Sequence, residues 1–143
     1  MPTSAEHPVP SLVDTSVAIP LALEDHDHHA PTLEALRDRT LGLAGHAYFE
    51  TYSVLTRLPS PARRSPRDVA LFLEHNFPAT RLLDDASQIT LRDDLARLGI
   101  AGGAVYDALV GAAARHHSML LVTRDLRAVE VYRRLEVVVE ILR

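Results

Sequence analysis

Four carboxylates stand where a charge is costly. Asp14 interrupts "SLVDTSV" (residues 11–17), behind Leu12 and Val13 and ahead of Val17. Asp125 closes the apolar run "MLLVTRD" in the same way. Asp107 lies in "GAVYDALVGAAARHH", a segment with almost no polar positions, and at helical spacing it shares a face with Gly103, Val110, Gly111 and Ala114. Glu50 sits in "HAYFETYSVLTRL" near Ala47 and Val54, at the border of an apolar stripe. Each has an ordinary reading. Asp14 and Asp125 suit helix N-caps, worth about 1 kcal/mol each. Ser16 and Thr123 suit turns, Glu50 a solvated helix border, and Asp107 an arginine partner from elsewhere. Taken together they suggest chemistry. Breaking a buried ion pair costs about 3–5 kcal/mol, which measures how badly an unpaired buried charge fits. Acids converging in a cleft raise each other's pKa and need a countercharge. Hard divalent cations meet that need, and Mg²⁺ typically takes one or two carboxylates together with waters and substrate phosphates.

The elements that must position these acids follow from periodicity. Apolar runs of strand length alternate with segments of helical period, the pattern of an α/β fold with a parallel sheet. Strands are expected at "SLVDT", "TLGLAG", "ATRLLD", "SMLLVTRD" and "LEVVVEIL". The spacing places helices from about Ala18, over "PTLEALRDR" with Pro31 in its first turn, and over "HAYFETYSVLTRL". Further helices are expected over "PRDVALFLEHN", "DASQITLRDDLARLG", "AVYDALVGAAARHH" and "LRAVEVYRR". The fourth strand and the "VVV" run of the fifth suit burial on both faces. Asp14 and Asp125 then sit at carboxyl ends of strands, where open α/β sheets build their sites.

Bulk properties narrow the chemistry. The 143 residues suit one domain, 10–143, behind a flexible Pro-rich lead-in at 1–9. There is no cysteine, which excludes thiol catalysis, disulfides and zinc ribbons and fits the cytoplasm. No apolar run reaches the roughly 20 residues of a membrane span. The net charge of −4 gives no overall attraction to nucleic acid, so such a partner needs local basic groups or metal ions. All 15 basic residues are arginine, which removes lysine chemistry.

Other clusters carry less. "EDHDHH" (24–29) reads as a solvated loop, because adjacent histidines rarely aim at one ion. Arg57, Arg63, Arg64 and Arg67 crowd "TRLPSPARRSPR", ordinarily a solvated surface but also the best local candidate for RNA phosphate contacts. "DTS" has the aspartate of an aspartyl-phosphate loop. However, Ser16 stands where such enzymes need a second aspartate, and their phosphate-binding lysine is missing.

"LVDTSV", "HAYFETYSVLTRL", "GGAVYDALVGAAA" and "LLVTRD", in that order across nearly the whole chain, resemble the PIN-domain nucleases, particularly the VapC toxins of bacterial toxin–antitoxin modules. The resemblance implies a three-layer sandwich: a five-stranded parallel sheet flanked by helices, its first and fourth strands adjacent. It implies a Mg²⁺- or Mn²⁺-dependent endoribonuclease, commonly a homodimer, held inactive by a VapB-type antitoxin. Asp14, Glu50, Asp107 and Asp125 would form the catalytic pocket. In it Asp14, Asp107 and Asp125 would be metal ligands, Glu50 would hold or activate a water, and Ser16 and Thr123 would support them. The alternatives are a catalytically silent PIN-fold binding module and an RNA-processing nuclease outside any toxin module.

Overall fold

The computed structural model describes residues 9–143, so the expected lead-in lies outside the described residues except for an exposed Val9. Strand β1 (Ser11–Val13) leads into α1 (Thr15–Ala22) and α2 (His29–Leu36). Strand β2 (Leu41–Leu43) is followed by α3 (His46–Thr56), α4 (Pro66–Asn76), α5 (Asp85–Leu98) and α6 (Ala104–His116). Then come β3 (Leu121–Thr123), α7 (Leu126–Arg134) and β4 (Val139–Ile141). The order in space is β2-β1-β3-β4, and every pair is parallel. The strand expected to neighbour the first is β3, with Leu12 opposite Leu121 and Val13 opposite Val122. From β1 the chain steps one way to β2 and later the other way to β3. The order therefore reverses between β1 and β3, where such sheets open a crevice.

Among the described residues the sheet has four strands, and the segment expected as another, "ATRLLD", is reduced to one bridge between Ala44 and Arg81. It still runs beside β2. Ala79 N–H donates to Leu41 O (3.0 Å), Arg81 N–H to Leu43 O (3.1 Å), and Gly45 N–H to Arg81 O (2.7 Å). The irregularity has a local cause: Leu43 N–H donates to the Thr80 hydroxyl at 3.0 Å, where a regular strand offers a carbonyl. Gly42 makes the approach feasible. A Cβ there would lie 2.2 Å from the Ala79 carbonyl, far inside contact distance.

Two further expectations shift. Helix α1 begins at Thr15 rather than near Ala18, because Asp14 accepts the Ser16 N–H and caps it. The fifth expected run supplies an edge strand, β4, so it is not buried on both faces: Val138 is 70% exposed. Arg39 secures that edge with a two-pronged ion pair to Glu140 (2.8 and 3.1 Å).

The core lies around β2, β1 and β3. Leu12, Val13, Leu43, Leu121 and Val122 are fully buried against α6 residues such as Ala108, Ala113 and Ala114. Each buried Val or Leu contributes about 1.5–3 kcal/mol. In α7, Ala128, Val129, Val131 and Tyr132 face inward while Arg127, Glu130, Arg133 and Arg134 face water. No helix is long and apolar enough to cross a membrane among the described residues.

Candidate active site

Asp14, at the end of β1, is buried at 4% exposure. Its carboxylate accepts four hydrogen bonds. Ser16 gives two to Oδ1, from its amide (3.1 Å) and its hydroxyl (2.5 Å). Oδ2 accepts the Thr123 hydroxyl (2.5 Å) and the Tyr132 hydroxyl (2.8 Å). Those hydroxyls are themselves held. Arg124 N–H donates to Ser16 Oγ (2.8 Å) and Asp125 N–H to Thr123 Oγ1 (3.0 Å). The turn after β3 is thus tied through two hydroxyls to the turn after β1. Burial pushes the Asp14 carboxyl above its ordinary pKa, against the pull of these donors, and the nearby Asp125 charge adds to the rise.

Sequence reasoning missed Tyr132, which reaches Asp14 across 118 positions. One signal was available: a tyrosine on the apolar face of a helix needs a buried acceptor for its hydroxyl. Gly111 leaves the room, since a Cβ there would lie 3.0 Å from the tyrosine ring. Burial and the negative charge of Asp14 raise the phenol's pKa, so it remains a donor.

Asp125 caps α7, accepting Arg127 N–H (3.0 Å) and Ala128 N–H (3.4 Å). Capping and clustering are therefore both realised, for Asp14 and Asp125 alike. The Arg127 guanidinium lies 3.9 Å from Asp125 on a side chain 97% exposed, a position worth little.

Asp107 is half-buried rather than enclosed. It occupies the first turn of α6, where the helix dipole favours a negative charge. The arginine considered for it is absent, as no ion pair reaches Asp107 among the described residues. Its pKa is raised to about 6, first by burial, then by repulsion from Asp125, Asp14 and Glu50. Glu50 is exposed on α3. All four acids line one cavity of about 340 Å³, with Ser16, His26 and Val110 also in its wall. No three acidic or imidazole side chains lie close enough to hold one ion among the described residues.

The other candidates separate. Arg57, Arg63 and Arg67 are exposed, and none of the four arginines lines the acidic cavity. Arg63 donates to Leu58 O (2.8 Å). Arg64 donates to Ala22 O (2.5 Å) and places its guanidinium over the Phe72 ring, 5.2 Å from the centroid. The "EDHDHH" loop is only partly solvated: His26 and His29 are half-buried, and His29 Nδ1 lies 2.8 Å from Pro20 O.

This architecture has named relatives. The PIN domain family model matches residues 11–134. The chain is 48% identical over 128 residues to Ribonuclease VapC27 of Mycobacterium tuberculosis, an alignment covering 90% of this chain and 93% of that protein. It is 46% identical over 130 residues to Ribonuclease VapC40 of the same species, covering 90% and 96%. The crystal structure of VapBC2 from Rickettsia felis, bound to a DNA fragment from its promoter, superposes with a TM-score of 0.67 at 15% identity. That superposition covers 94% of this chain and 100% of the other. A buried aspartate at the β1–β3 crevice, three more acids around it and this breadth of similarity identify the chain as a PIN-domain protein of the VapC family.

Proposed function

We propose that the chain is a metal-dependent endoribonuclease, the toxin of a type II toxin–antitoxin module, hydrolysing phosphodiester bonds in structured RNA in the cytoplasm. The observation that carries this reading is the convergence of Asp14, Glu50, Asp107 and Asp125 on one cavity whose wall holds no arginine. The relatives named as ribonucleases support it.

The donor set fits a hard divalent cation. Four carboxylates and the His26 imidazole line the cavity wall, and burial together with repulsion from the other acids raises the pKa of Asp107. Asp14, Asp107 and Asp125 would hold Mg²⁺, or Mn²⁺ in its place. Because the acids are spread around the cavity, one or two would bind directly and waters and RNA oxygens would complete the shell. When bound, the ion lowers the pKa of a water and neutralises charge developing on the phosphate. The side chains supply the rest. Ser16, Thr123 and Tyr132 fix the Asp14 carboxylate, and a cation there would share an oxygen with one of those hydroxyls or replace it. Glu50, exposed at the rim, accepts a proton from the attacking water. Exposed Arg57, Arg63 and Arg67 contact phosphates farther along the RNA, with Arg64 behind them.

A VapB-type antitoxin would lay a basic side chain among the four acids. For the homodimer, exposed Phe49 and Leu82 line a cavity of about 310 Å³, and exposed Tyr106 stacks on His46 of its wall. The function is tested with total cellular RNA and purified, antitoxin-free chain. Wild type should give discrete products with Mg²⁺ or Mn²⁺ and none with EDTA. Asp107→Asn should lose cutting beyond the 10–100-fold typical of groups around a metal site. Intact RNA under all metals, from folded protein, would overturn the assignment.

A further inference from the structure

The acidic cavity shares one wall with a second cavity, of about 600 Å³, and the shared residue is His26. The cavity lined by Asp84 and Arg115 and the one lined by Phe49 and Leu82 share no residue with the acids. An RNA strand whose scissile phosphate lies over the acids therefore has a neighbouring chamber across His26.

That chamber has the chemistry of a base site, not a phosphate site. Its one arginine, Arg64, is committed to Ala22 O and to the Phe72 ring. Glu24 and Asp25 in the same wall outnumber it in charge. A phosphate would be repelled there. A flat, neutral base can stack on the Arg64–Phe72 pair, as unstacked RNA bases do on aromatic rings and guanidinium planes. The two carboxylates are acceptors only, matching the exocyclic amino group that adenine, cytosine and guanine carry and uracil lacks. His26 is set for the backbone between the chambers. Its Nδ1 accepts the His28 N–H (3.1 Å), so the neutral ring carries its proton on Nε2. Nε2 bonds to no protein group among the described residues.

We propose that this cavity binds the base of the nucleotide flanking the cut and selects an amino-bearing base over uracil, with His26 Nε2–H donating to the intervening sugar–phosphate. This rests on the ribonuclease reading and adds a specificity site to it.

The test sequences the product ends of total bacterial RNA cut by wild type, His26→Ala, His26→Gln and the double variant Glu24→Gln/Asp25→Asn. Thermal melting serves as the fold control. Wild-type products should show one position beside the cut depleted in uracil, and the double variant should lose that depletion while still cutting with Mg²⁺. On an oligonucleotide carrying the strongest wild-type site, His26→Ala should raise KM about tenfold, the worth of one hydrogen bond, with kcat little changed. His26→Gln, which keeps a donor, should recover part of the loss. Wild-type cutting with no uracil-depleted position, or a depletion that survives the double variant, overturns the base site alone. Folded wild type that cuts no RNA with either metal overturns the ribonuclease reading, and the base site with it.

Discussion

Two acidic neighbourhoods lie on adjacent helices and are treated in opposite ways. On α5, Asp94 is held between Arg97 (3.0 Å) and Arg115 (2.9 Å), and those hydrogen bonds draw its pKa below the ordinary carboxylate range. Asp84, capping the same helix, is lowered as well, by Ser87 first. On α6, Asp107 has no ion-pair partner among the described residues, and burial and the neighbouring acids raise its pKa to about 6 against a smaller pull from Arg127. The protein carries 15 arginines and places none in the wall of the cavity of Asp14, Glu50, Asp107 and Asp125. In the first neighbourhood the countercharge is built in. In the second no arginine lines the wall, as the proposed cation site requires.

The contrast can be broken by supplying the missing charge. Glu50→Arg should make the cavity resemble the Asp94 pair: metal-free protein melts higher, Mn²⁺ no longer raises the melting temperature, and RNA cutting falls by more than about 100-fold, beyond the usual loss for groups around a metal. Weakening the frame is the milder test. Tyr132→Phe removes one of the four hydrogens on Asp14, and should cost about 1.5–3 kcal/mol in a denaturant titration. The same change should lower cutting about 10–100-fold, as for other groups that orient a metal ligand.

pH separates the two neighbourhoods by sign. The folded pKa of Asp107, about 6, lies above the ordinary 3.8, so between these values the native state binds the extra proton. The stability from this group is full below the unfolded pKa and is lost as pH rises through about 6. Asp94, lowered, does the reverse: its contribution is present above the unfolded pKa and is lost as pH falls through the folded one. With metal chelated, wild type should lose melting temperature relative to Asp107→Asn between pH 5 and pH 7, and Mg²⁺ should restore it. The smallest effect belongs to Asp94→Asn, which should lower the melting temperature only slightly and leave cutting unchanged, as befits an ion pair near the surface.

Most of the site's charge was legible in the sequence because charges in apolar runs stand out. Asp14 and Asp125 ended recognisable strands, and Asp107 stood in an almost wholly apolar helix. The parallel sheet also followed, since the expected strands alternate with helical crossovers, while the adjacency of the first and fourth expected strands came from the family resemblance. What stayed hidden depends on contacts between distant residues. Tyr132 counts as one more core aromatic until its hydroxyl is seen at Asp14. His26 looks like part of a polar loop until the fold of residues 24–29 turns it against the acids. "ATRLLD" has the composition of a strand, and only the Thr80 hydroxyl at Leu43 N–H reduces it to a bridge.

The double employment of Asp14 has a genetic consequence. Its carboxylate starts α1, anchors β3 and satisfies the hydroxyls of Thr123 and Tyr132, which are buried. Losing it orphans donors that each cost about 1–3 kcal/mol when unmet. Asp107 accepts no hydrogen bond from the described residues, and its loss relieves repulsion. Cells that escape such a toxin by mutation therefore divide into two classes. On the proposed reading, those altered at Asp14 should accumulate little protein, while those altered at Asp107 should keep a folded, harmless chain that still occupies the antitoxin and shifts the balance for every intact copy around it.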